Sequence, residues 1–134
     1  MSDPQGNVQH VAHAATQVAE ALAAGLEDDA FREVINMSDR LRGTSTEQFT
    51  EQVTDPPTLV GDVRYDALLA AVIDVHLSER NQERPAWLDD PDRKCAPPFD
   101  VEPVPELRAA VRAATPPACA RHGVYLHPDE LASG

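Results

Sequence analysis

The chain has 134 residues, enough for one domain whose core needs no staples. Its 11 basic and 23 acidic residues give a formal charge of -12, a field that repels phosphate backbones and attracts a basic partner, so direct binding of nucleic acid is not expected. Hydrophobic residues make up 42% but Phe, Trp and Tyr only 4%, so Ala, Val and Leu must build the core, a composition that favours packed helices over a sheet sandwich.

Residues 1–7, with Asp3, Pro4 and Gly6, are expected to fray, and residues 8–134 to form a single helical domain. Val8, Val11, Ala15, Val18 and Leu22 recur at heptad-like spacing, predicting a helix with a narrow, alanine-lined seam. Such a seam permits close approach to a neighbour, either within the chain or in a homodimer through residues 8–22. Gly25 supplies a stop, and Glu27, Asp28 and Asp29 put negative charge in the first turn of a second helix. That helix shows Phe31, Val34, Ile35, Ser38 and Leu41 on one side and ends near Gly43. Ser45 and Gln48 fit a capping box for a short helix from about Thr46 to Val53. Asp55-Pro56-Pro57 then starts a connector, and a hinge is expected over 54–61.

The strongest period follows. Tyr65, Leu68, Leu69, Val72, Ile73, His76 and Leu77 share one side of a helix capped by Asp62, leaving Asp66, Asp74 and Glu79 for the polar side. Pro85 ends the segment, and Trp87 is expected to fold back onto the apolar side, where an indole can bury about 150 to 250 Å². From Asp89 to Pro105 a proline falls every few residues, which reads as a rigid wrap anchored by Phe99 and Val101. Leu107, Ala110, Val111 and Ala114 give a further helix an apolar face, with Arg108 and Arg112 on its flank. A turn through Cys119 to His122, an extended Val124-Tyr125-Leu126 and a last turn carrying Leu131 complete the chain. The fold class expected is therefore all-α: a small bundle of about five helices with a proline-rich wrap and a short extended segment near the C-terminus.

Gly61-Asp62 with Tyr65 to Ala70, Pro85 to Leu88 with Asp90 to Arg93, and Pro116 to Leu126 together resemble the helical C-terminal region of actinobacterial Xre-type regulators and antitoxin-like proteins. The similarity spans roughly Leu26 to Leu131. The chain departs from that pattern at Cys95, Phe99, Cys119 and His122, and nothing in it matches the DNA-reading helix-turn-helix head. The resemblance implies a regulatory or antitoxin-like module whose partner is a toxin or a DNA-binding protein of the same operon.

No nucleotide-binding, metalloprotease or nucleophile-elbow motif occurs, so no catalytic residues and no cofactor are expected. The leading reading is a non-catalytic, acidic protein-interaction module, with the seam from Val8 to Leu22 and the pair Arg108 and Arg112 as interface candidates. The alternative is a small-molecule sensor whose pocket uses Trp87 as a stacking wall, His76 as a polar handle and Tyr65 beside them. His76 is expected to lack a local Ser, Cys or carboxylate with which to form a relay. Cys95, Cys119, His122 and His127 could in principle supply four zinc ligands, but the spacing fits no known module, and cysteines also bury readily as small apolar side chains. No apolar run approaches ~20 residues and no charged-then-apolar leader is visible, so a cytoplasmic, membrane-free setting with free thiols is expected.

Overall fold

The computed structural model describes residues 9–132; the expected frayed start and Val8 lie outside them. Among the described residues the fold is all-α, with seven helices and one two-residue strand pair. No helix among them is long and apolar enough to cross a membrane.

Helices α1 (His10–Ala23) and α2 (Glu27–Arg42) form a hairpin. Gly25 takes φ +76, and the Leu26 N–H reaches back to the Ala21 carbonyl at 2.8 Å, closing α1 as a glycine stop should. The seam is consumed inside the chain. Val11, Ala15 and Val18 are at most 3% exposed, because α1 lies on α2 and touches α3 (Thr46–Val53). Of the residues expected to line that seam, Val11, Ala15 and Val18 thus face neighbours within the chain, and Leu22 packs half-buried against the same core. The Ser45 hydroxyl caps α3, accepting from the Gln48 N–H at 3.2 Å.

Helix α4 (Val63–Glu79) is the axis of the molecule. Asp62 caps it by accepting from the Arg64 N–H at 2.9 Å, and Asn81 in the left-handed region at φ 53 ends it. Every residue from Tyr65 to Leu77 is buried. The two-sided reading therefore fails: Asp66 and Asp74, assigned to a solvated side, are 5% and 1% exposed. A helix buried all round needs a cover on both sides. Helix α2 provides one, and the chain beyond Pro85 provides the other.

The return stretch begins with single 3-10 turns at Ala86–Asp89 and Pro91–Arg93. Trp87 does fold inward, but its Nε1–H is held by the Val53 carbonyl at the end of α3, at 2.8 Å. The expected hinge over 54–61 is tied down, because the Arg93 guanidinium donates to the Pro57 carbonyl and the Val60 N–H to the Asp66 carboxylate. Strand β1 (Phe99–Asp100) pairs in parallel with β2 (Val124–Tyr125), so the wrap runs alongside the C-terminal segment.

Helix α5 (Arg108–Ala114) departs from expectation: none of its residues is buried, Leu107 just before it is 50% exposed, and Ala110 and Ala114 face solvent. Alanines offer little area, so burying them gains little. Polar staples hold α5 instead. Arg112 grips the Asp100 carboxylate at 2.8 and 2.7 Å and lies 4.5 Å from the Tyr125 ring centre, while Arg108 donates to the Glu102 carbonyl at 2.8 Å. The expected interface arginines are thus engaged within the chain. Helices α6 (Pro117–Ala120) and α7 (Asp129–Ala132) close the fold against α4 and α2.

Two glycines separate strain from crowding. Gly61, at φ +87, has nothing within 4 Å of a built Cβ, whereas Gly123, at φ +73, would place one 2.3 Å from the Cys95 carbonyl oxygen. Gly61→Ala should cost about 1 to 2 kcal/mol, the left-handed penalty alone. Gly123→Ala should cost clearly more, because backbone must also move; urea midpoints of the two variants check the order, and equal midpoints would contradict the crossing at Cys95.

Candidate functional site

Three places concentrate polar or aromatic chemistry. The first is the crossing of α2 and α4, where Ser38 Oγ and His76 Nε2 are 2.9 Å apart and the Phe49 ring lies 6.0 Å away. No relay partner is expected near His76 in the sequence, and the serine that meets it comes from 38 positions away, where the two helices cross. The pair is sealed, with Ser38 0% and His76 3% exposed. Burial, reinforced by the positive charges of Arg42 and Arg80, lowers His76 to about 4, so the ring is neutral at pH 7. A neutral base beside a hydroxyl could activate a nucleophile only if substrate could reach it; here the pair satisfies two buried polar groups.

The second place is a buried ionic hub around Asp74. Arg84 donates to both carboxylate oxygens through Nε and Nη2 at 2.9 to 3.2 Å and continues to Asp89 at 3.1 Å. His122 Nε2 lies 2.8 Å from Asp74 Oδ2, its Nδ1 lies 2.7 Å from the Arg93 carbonyl, and Arg121 adds a charge at 3.6 Å. A carbonyl only accepts, so Nδ1 donates to it. Burial pushes the Asp74 carboxyl up, but the hydrogen bonds from His122 and Arg84 outweigh it and leave the group below the usual carboxylate range. A companion pair lies two turns earlier on α4. Arg93, 3% exposed, stands 3.9 Å from Asp66 and 5.2 Å from the Trp87 ring centre. Burial raises Asp66 and lowers Arg93.

The third place is open. A groove of about 610 Å³ runs between α2 and the wrap, with Phe31 and Ile35 on one wall, Phe99, Val101 and Pro103 on the other, and Tyr65 from α4 beneath. Tyr65 and Phe99 meet at 5.9 Å between ring centres, and the Arg64 guanidinium lies 5.4 Å from Phe99 while pairing with Asp62 and Glu27. Glu27, Asp28 and Glu130 stand on the rim, with Arg32 among them.

Of the expected sensor residues, only Tyr65 lines this groove. Trp87 and His76 are each buried in the core with their own partners, Val53 and Ser38. The four residues named as alternative zinc ligands do not group either. Cys95 donates to the Pro97 carbonyl at 3.3 Å, Cys119 is fully buried with its thiol pushed up to about 12 by burial, and both nitrogens of His122 are engaged. His127 turns outward toward Asp129. Among the described residues no three His, Cys, Asp or Glu side chains are grouped to hold an ion. No family model, curated protein or solved structure matches this chain.

Sequence reasoning named every wall of the groove singly but not their meeting. Phe31 and Ile35, one turn apart, lie beside the fully buried Val34, and that offset was the available signal.

Two measurements follow from the buried groups. His76 has a folded value near 4 against 6.5 unfolded, so its contribution is fully present above pH 6.5 and is lost as pH falls from there toward 4. The urea midpoint should therefore drop over that window, and His76→Gln should flatten the drop; parallel slopes for the two proteins would refute this assignment. Asp74→Asn, which strips the counter-charge from Arg84 and a hydrogen-bond partner from His122, should cost about 3 to 5 kcal/mol by the same assay.

Proposed function

We propose that the chain is a non-catalytic, acidic docking module that binds a protein partner. The observation that carries this reading is where the apolar and the reactive groups lie. Leu26, Leu59, Val63, Val104 and Leu107 are 42 to 51% exposed, whereas the Ser38–His76 pair, the Asp74 hub and both cysteines are internal. A surface that keeps large aliphatic groups in water while its serine–histidine pair and thiols lie inside suits recognition better than turnover. The charge of -12 favours a basic partner, for which complementary fields speed encounter. The resemblance to regulator and antitoxin-like regions supports the same reading and suggests a toxin or a DNA-binding protein from the same operon. Two buried thiols that form no disulfide suit the reducing cytoplasm, the setting we assign.

Isolation from producing cells at low salt should yield a stoichiometric heterocomplex by native mass spectrometry, weakened as salt rises. Recovery of a bare monomer under those conditions, or turnover by the isolated chain that disappears in His76→Gln, would overturn the proposal.

A further inference from the structure

Resting on the docking-module reading, we propose that the groove between α2 and the wrap is the docking site, and that its occupant is a partner segment carrying one large apolar anchor flanked by Lys or Arg. The floor is rigid. Tyr65 is 1% exposed on a helix buried on all sides, and the Phe99 and Val101 N–H groups are fixed to the Gly123 and Tyr125 carbonyls at 2.8 and 3.0 Å. Phe99 and Val101, two residues apart in extended chain, show the same side, and Phe31 and Ile35 oppose them from α2. A preformed slot of this kind accepts an anchor side chain without first having to order itself.

Charge selects among occupants. Glu27, Asp28 and Glu130 border the slot, Arg32 pairs with Asp29 at 3.6 Å, and the whole chain is strongly negative. A carboxylate or phosphate ligand meets repulsion there, and so does a second copy, which brings the same rim and the same net charge. Asp28 offers a cationic segment an exposed carboxylate, while the apolar anchor replaces water over the half-buried Phe31 and Phe99.

The test uses the full chain and a fluorescent peptide of arginines around one central leucine. Binding should fall about tenfold when glycine replaces the leucine, and by a similar factor in Phe31→Ala, the loss of about 1.4 kcal/mol expected for one anchor. Asp28→Lys, an exposed change at the rim, should weaken binding and flatten its salt dependence, whereas Glu51→Lys on α3, outside the groove, should leave it unchanged. Circular dichroism keeps any misfolded variant out of the comparison, and Asp28→Lys carries the test if Phe31→Ala does not fold. Equal losses in Asp28→Lys and Glu51→Lys would mean diffuse attraction and overturn the site, as would no binding or a groove-dependent dimer of this chain. If the cellular complex survives both groove variants, the site is wrong and the docking-module reading stands; if no complex exists, that reading fails first.

Discussion

A helix enclosed on every side cannot carry two carboxylates unless cations are enclosed with it, and this constraint organises the molecule. Asp66 and Asp74 on α4 are at most 5% exposed, so leaving either unpaired would cost far more than any local propensity could offset. The cations come from the return stretch: Arg84 just beyond α4, Arg93 in the second 3-10 turn and Arg121 after α6, with the His122 ring hydrogen-bonded beside them. His122 joins the two pairs, since one ring nitrogen meets Asp74 and the other meets the backbone of Arg93. The irregular half of the chain is thus registered on α4 by charge and hydrogen bonding as well as by apolar burial. Such networks contribute little net stability compared with a packed apolar core, but they tolerate few alternative registers.

That register places the rest. Once Arg93 is seated between Asp66, Pro57 and the Trp87 ring, the connector before α4 and the turn after it are held together. Cys95 then crosses Gly123 closely enough to exclude a side chain, and β1 pairs with β2 a few residues later. Phe99 in β1 and Val101 just after it then line the open groove together with Phe31, Ile35 and Tyr65.

Local signals were legible and distant ones were not. Gly25, Ser45, Asp62 and Pro85 mark helix ends through capping and backbone chemistry that acts within a few residues, and α1 to α4 begin and end close to where those residues predict. The sidedness of α4 was misread because two aspartates at polar positions look identical whether water or arginine neutralises them. Ser38 with His76, and Phe31 with Phe99, meet across helix crossings and returns that no period in one sequence encodes. The α5 stripe misled in the opposite direction: its apolar spacing is real, but its alanines carry too little surface to draw it into the core.

That outlying helix has a thermodynamic character of its own. Seven residues are too few to hold a helix in water unaided, and α5 is secured by a guanidinium clamp on Asp100 and a backbone tether at Glu102 rather than by side chains sunk into the interior. Its opening therefore exposes almost no new oily surface and leaves α4 with its buried counter-ions intact. Amide protons in this limb should exchange through local release long before the global transition, so α5 can be reshaped at little cost to the core.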